Sequence, residues 1–147
     1  MKGYSEFFSQ EEHQAILDAI KIAERKTSGE IRVHLEDRCD LFPEDRAAYV
    51  FDKLEMFSTA DRNGVLFYLA VQDKRFAVIG DLGIHERVGT AFWKTLRDEL
   101  QADFKQGNFK DGLIGSIHKM GERLSHFFPY ERDDVNELSD EISKGDL

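Results

Sequence analysis

Cysteine and long apolar runs are scarce in this chain of 147 residues. Its one cysteine, Cys39, excludes an intramolecular disulfide. No apolar run approaches the roughly 20 residues that a membrane-spanning helix needs, so we expect no membrane insertion. The first residues also lack the basic-then-apolar pattern of a secretion signal. We therefore expect a cytoplasmic protein.

Basic residues are also in the minority, with 20 Lys and Arg against 29 Asp and Glu, which gives a net charge of -9. Such a surface repels the phosphate backbone of nucleic acids, so we expect no nucleic-acid binding. Apolar residues make up 41% of the chain, enough for the core of one domain. We expect this domain to span residues 1–129. The acidic tail over residues 130–147 is expected to be mostly solvated, with a short helix through Val135, Leu138 and Ile142.

Hydrophobic periodicity predicts four helices and three strands. Ser9 and Glu12 match a capping box and predict a helix over residues 10–26. Strict alternation predicts a strand over residues 30–36, with Arg32 and His34 on its exposed polar face. Pro43 begins the second helix. The remaining predicted elements are strands at 64–71 and 75–80 and helices at 85–104 and 111–128.

The order of these elements predicts an α/β fold, a three-layer α/β/α sandwich with a small mixed sheet and helices on both faces. A helical crossover makes the first strand parallel to the second. A tight turn then makes the third strand antiparallel to the second. The starts of the first two strands and the end of the third strand are therefore expected to meet at one edge of the sheet.

Acidic and amide side chains gather at that edge. They are Glu30, Asp61, Asn63, Asp81 and, at the start of the third predicted helix, Glu86. Several oxygen donors close together suit a hard cation such as Ca²⁺ or Mg²⁺. We predict a metal site at these five residues, and the alternative is that they are solvated surface acids.

Four segments of the chain resemble the TPM domain family, which occurs in bacterial proteins and in a plant thylakoid protein linked to photosystem II repair. These segments are residues 27–31, 61–66, 73–84 and 104–113. The resemblance covers residues 10–128, and it implies an α/β/α sandwich with a metal-binding acidic edge. It also implies a phosphatase activity that has been attached to the family. The chain departs from the family pattern at Arg62, which adds a positive charge beside Asp61.

The sequence leaves three functions open. The favoured one is a TPM-domain protein whose acidic edge binds a divalent cation or a protein partner, without robust catalysis. The second is a metal-dependent, acid-phosphatase-like phosphomonoesterase centred on Asp61, Asp81 and Glu30, in which a metal activates water. The third is a pure protein-interaction module that uses the acidic tail and the helix surfaces. No catalytic residue is assigned.

Overall fold

The computed structural model of this protein describes residues 3–130, 138, 140–145 and 147. Its sheet has four strands in the order β3-β2-β1-β4. β1 (Glu30–Glu36) lies between β2 (Gly64–Ala70) and β4 (Ser143–Lys144) and is parallel to both. β3 (Arg75–Gly80) runs antiparallel to β2. The three predicted strands and the mixed sheet are confirmed, whereas β4 arises from the tail and was not predicted.

Helices cover both faces of the sheet, which confirms the predicted sandwich. α1 (Gln10–Glu24), α4 (Thr90–Lys105) and α5 (Phe109–Phe127) pack on one face, and α2 (Pro43–Lys53) packs on the other. Successive side chains of a strand point to opposite faces, so β2 supplies both cores and is buried along its whole length.

The capping box predicted for α1 is present. The Glu12 N–H donates to Ser9 Oγ at 3.1 Å, and the Ser9 N–H donates to Glu12 Oε1 at 3.0 Å. The helix ends at Glu24, two residues before the predicted end. This end lies beside the start of β1, because the Ile31 N–H donates to Glu24 Oε2 at 2.9 Å.

The predicted third helix is in fact two helices, so the prediction of one helix over residues 85–104 was wrong. A short helix, α3 (His85–Val88), is separated from α4 by Gly89, which has φ 92° and ψ 140°. A residue at this φ breaks helical geometry, and glycine adopts it without a steric penalty.

Within the described residues, no helix combines the length and the apolar character needed to cross a bilayer.

The end of the tail belongs to the folded unit. Ile142 is 7% exposed and joins the core under α1 and α5. Ser143 pairs with His34, and the Gly145 N–H donates to the Leu35 carbonyl at 2.8 Å. The expectation of a solvated tail was therefore wrong for this segment, which forms a strand where a helix was expected. Val135, which the predicted helix also included, lies outside the described residues.

Candidate functional site

The edge of the sheet at which acidic residues were expected to meet has the predicted backbone geometry. Glu30 pairs with Gly64, and Val65 pairs with Gly80. The N–H of Asp81 donates to the Gly64 carbonyl at 2.9 Å. The three predicted segments are therefore neighbours, but the side chains of the five predicted metal ligands have different surroundings.

The Asp81 carboxylate is held by Arg62. Nε and Nη2 of Arg62 donate to the two carboxylate oxygens at 2.8 Å each, and the Leu82 N–H donates to Oδ1 at 2.7 Å. The side chain of Asp81 is 4% exposed, so it is shielded from solvent. A bidentate guanidinium already compensates the charge that a metal ion at Asp81 would neutralise.

Close backbone packing positions Arg62. This residue has φ 50°, and its carbonyl accepts the Gly83 N–H at 2.8 Å. A Cβ atom at residue 83 would lie 2.1 Å from the Asp61 carbonyl oxygen, so only glycine fits there. The loop before β2 and the turn after β3 thus form one packed unit that directs the guanidinium to Asp81.

The structure brings Asn63 into the protein interior and leaves Asp61 and Glu86 exposed. The Asn63 N–H donates to Thr59 Oγ1 at 3.1 Å, while Asn63 Oδ1 accepts no hydrogen bond from the described residues. Neither Asp61 nor Glu86 joins a group of three potential metal-ligating side chains in the described part of the chain. The five predicted ligands therefore do not form one cluster.

Glu30 instead lies in a different acidic cluster, together with Glu24 and Asp140. One carboxylate oxygen from each of the three residues lies within 4.8 Å of those from the other two. Glu30 is buried, and Glu24 and Asp140 are partly buried. The end of α1, the start of β1 and the segment before β4 each supply one carboxylate to this cluster, which we call the edge triad.

Burial and the closeness of the three carboxyl groups make it unfavourable for all members of the edge triad to be ionised at once. Burial raises the pKa of Glu24 to about 10, and the neighbouring Asp140 carboxyl adds to the increase. The Ile31 N–H acts in the opposite direction by stabilising the ionised form. Oδ1 of Asp140 is buried and accepts no hydrogen bond from the described residues. Burial and the Asp140 carboxyl therefore favour the neutral form of Glu24.

Sequence reasoning missed two members of the edge triad. Glu24 occupies a polar position near the end of an amphipathic helix, where charged residues are common. Asp140 lies in a segment whose acidic composition favoured a solvated tail. The one available signal was Ile142, an apolar residue among charges, which now proves to be buried and to anchor this segment beside β1.

A second buried polar cluster lies on the α2 face of the sheet, so the expectation of an exposed His34 was wrong. His34 and Glu36 are fully buried. Arg46 Nε and Nη2 donate to the two Glu36 oxygens at 2.7 Å each, and the Tyr68 hydroxyl donates to Oε1. His34 Nδ1 lies 2.8 Å from Ser143 Oγ. β4 thus pairs with the edge of β1 that was expected to be exposed.

The charges of this second cluster largely compensate one another. Burial acts to raise the pKa of Glu36, but Arg46 and the Tyr68 hydroxyl hold it below its usual range. Burial lowers the pKa of His34, although the Glu36 carboxylate partly opposes this effect. The buried carboxylate therefore stays ionised beside its guanidinium partner, and the imidazole stays neutral. We interpret the cluster as structural, because its charged atoms are engaged and shielded from solvent.

Comparison with known proteins identifies related sequences and folds. A family model of the TPM domain matches residues 1–123. A comparison with curated proteins gave no match. The NMR structure of the BA42 protein from the psychrophilic bacterium Bizionia argentinensis is similar to this chain, with 51% identity and a TM-score of 0.89. That similarity covers 95% of this chain and 96% of that one.

Two more distant solution structures share the fold. The N-terminal domain of the cg2496 protein from Corynebacterium glutamicum has 13% identity and a TM-score of 0.65, covering 81% of this chain and 75% of that one. The N-terminal domain of a protein from P. gingivalis has 17% identity and a TM-score of 0.68, covering 86% and 83%. At these identities the similarity concerns the fold alone.

Proposed function

This chain belongs to the TPM domain family, and from that premise we propose that its function is to bind a divalent cation, Ca²⁺ or Mg²⁺, at the edge triad. The observation that carries the proposal is the position of Glu24, Glu30 and Asp140, whose carboxylate oxygens lie within 4.8 Å of one another. Hard divalent cations prefer such oxygen ligands.

The residues of the triad fit a cation in two further respects. Asp140 Oδ1 is buried, and the Asp140 carboxyl shares a hydrogen bond with the Glu24 carboxyl, so a cation bound between the two groups would take the place of the shared proton. Burial disfavours the ionised form of Glu24, and a nearby cation would stabilise that form. A bound ion would also hold the segment before β4 against α1 and β1, so binding is expected to stabilise the end of the tail.

Calorimetric titration of Ca²⁺ and Mg²⁺ into chelator-treated protein tests this proposal. We expect binding heat that Glu30→Gln and Asp140→Asn each weaken by at least about tenfold, because each change removes one anionic ligand. Asp61→Asn and Glu86→Gln are matched controls, since each neutralises an exposed acid outside the triad.

The controls also separate the edge triad from the site that the sequence predicts. Binding that is lost in Asp61→Asn and Glu86→Gln but kept in Asp140→Asn would contradict our proposal and favour the five residues predicted from sequence. No binding heat at millimolar Ca²⁺ or Mg²⁺ would contradict both sites. It would leave a protein partner as the remaining ligand predicted for this edge.

We do not extend the proposal to phosphomonoester hydrolysis. Asp81 is paired with Arg62 through both oxygens and its side chain is 4% exposed, so it is poorly placed to reach the phosphorus of a substrate or a water molecule. We expect hydrolysis of para-nitrophenyl phosphate by the purified protein to be no faster than that by Asp61→Asn or Asp81→Asn. Turnover that is lost in both variants would instead favour the phosphatase alternative.

A further inference from the structure

A cleft at the opposite end of the sheet from the edge triad is unrelated to the proposed cation site. It lies where β2 ends, beside the C-terminus of α4 and the N-terminus of α5. The cleft has two lobes of about 730 Å³ and about 150 Å³. The residues that line both lobes are Phe7, Val71, Lys74, Phe104, Lys105 and Phe109.

A row of four partly exposed aromatic rings forms the wall of this cleft. The ring centroids of Phe7 and Phe109 are 5.0 Å apart, and those of Phe109 and Phe104 are 5.2 Å apart. Phe76 extends the row, with its centroid 5.3 Å from that of Phe104. Contiguous apolar surface that stays open to solvent is a common feature of ligand-binding sites.

Two lysines line the smaller lobe, Lys74 and Lys105, and no acidic residue lines it among the described residues. Arg75 borders the lobe, but its guanidinium donates to the carbonyls of Cys39 and Leu41 and is therefore already engaged. Lys74 and Lys105 make no ion pair with the described part of the chain. The chain as a whole has a net charge of -9, so the positive charge at this lobe is opposite in sign to the net charge of the protein.

Two acids, Glu12 and Asp111, also line the larger lobe, and they offset part of the charge of its three lysines. Glu12 accepts the Ser9 N–H at 3.0 Å in the helix cap, and Asp111 pairs with Lys110 at 3.2 Å. Both carboxylates thus have partners of their own. The side chains that remain for a ligand are the aromatic rings and the unpaired ammonium groups.

We propose that this cleft binds a small amphiphilic carboxylate, whose aromatic ring or short alkyl chain packs against the phenylalanine row while its carboxylate faces Lys74 and Lys105. The smaller lobe, at about 150 Å³, has the size of cavities that accommodate one benzene ring. An uncharged ligand would leave the ammonium groups unpaired, and an inorganic anion would leave the rings in water.

An NMR titration with phenylpropanoate, followed at the backbone amides, tests this proposal. We expect saturable shifts at Lys74, Phe76, Lys105 and Phe109. Phenylpropanamide has nearly the same shape without the charge. We expect its dissociation constant to be at least about fivefold higher. Sulfate, as an anion without a ring, should produce no saturable shift at the phenylalanine amides.

Substitutions of exposed lysines provide the matched comparison. Lys74→Gln and Lys105→Gln should each weaken phenylpropanoate binding about fivefold, because each removes one charge beside the carboxylate. Lys94→Gln is the control, since Lys94 lies on the same helix as Lys105 but outside the cleft and pairs with Asp98. This control should bind as the unmodified protein does.

Several results would overturn the proposal. The absence of saturable shifts at millimolar phenylpropanoate would exclude the ligand class. Equal binding of phenylpropanamide, or equal weakening by Lys94→Gln, would exclude the assigned role of the lysines. Binding of an acidic, phenylalanine-containing peptide at the same amides without binding of phenylpropanoate would replace the small carboxylate with a protein partner.

Discussion

Removal of the Arg46 guanidinium should destabilise the protein strongly, because it leaves the Glu36 carboxylate buried without its charge partner. The Glu36 side chain is fully buried, and both of its oxygens accept hydrogen bonds from Arg46 at 2.7 Å. Loss of one partner of a buried ion pair typically costs about 3–5 kcal/mol. Arg46→Met keeps most of the apolar stem and removes the charge, so we expect a loss in that range at neutral pH.

The exposed pair of Arg38 and Asp73 supplies the matched control. Its nitrogen and oxygen are 3.7 Å apart, and the Arg38 side chain is 70% exposed. Exposed ion pairs contribute about 0–1 kcal/mol, so Arg38→Met should lower the free energy of unfolding by no more than that. Equilibrium unfolding in urea, monitored by circular dichroism, measures both variants on the same scale.

A double variant separates loss of charge compensation from loss of packing. Glu36→Gln combined with Arg46→Met removes both charges and keeps an oxygen that can accept the Tyr68 hydroxyl. We expect it to recover most of the stability lost in Arg46→Met. The reasoning would be refuted if Arg46→Met cost no more than Arg38→Met, or if the double variant were less stable than Arg46→Met.

Three further predictions concern pH and backbone packing. Burial lowers the pKa of His34 below 6.5, so the unfolded chain binds a proton that the folded chain does not, and the free energy of unfolding should fall as pH drops below 6.5. His34→Gln should reduce this fall in urea titrations at different pH values, and an unchanged slope would contradict the assignment. In chelator-treated protein, the pKa of Glu24 is raised, so above pH 4.5 the folded chain holds a proton that the unfolded chain releases, and the free energy of unfolding should fall as pH rises from 4.5 towards 10. Glu24→Gln should remove that loss, and an unchanged pH profile would count against a buried neutral Glu24. Gly83→Ala should lower the melting temperature because its Cβ would lie 2.1 Å from a backbone oxygen, whereas Gly115→Ala, with open space in a helix, should stabilise by about 0.5–1 kcal/mol. Equal melting temperatures for the two glycine variants would refute the packing argument at residue 83.

The parts of the fold that local patterns specify were predictable from the sequence. The alternation of Ile31, Val33 and Leu35 with polar residues gave β1, and continuous apolar character gave β2. The parallel crossover then followed from chain connectivity. The break at Gly89 was missed because the apolar spacing continues through it, and only its positive φ interrupts the helix.

The candidate site was less predictable, because its geometry depends on contacts between distant segments. The convergence of the three strand ends followed from topology, and it correctly placed Glu30 at the relevant edge. The Arg62 side chain points towards Asp81 and pairs with it, and this direction depends on the close approach of the Arg62 backbone to Gly83. The tail pairs with β1 and so brings Asp140 to Glu24. This pairing involves only two residues of β4, which is too short a strand to give a recognisable pattern in the sequence.

Paramagnetic mapping with Mn²⁺ is the most direct test of the central claim, because it locates the ion as well as detecting it. Mn²⁺ replaces Ca²⁺ or Mg²⁺ at oxygen sites and broadens amide signals near the ion. We predict the strongest broadening at Glu24, Glu30, Ile31 and Asp140, and its loss in Asp140→Asn. Broadening centred on Asp61 or Glu86, or a lack of site-specific broadening, would contradict a cation site at the edge triad.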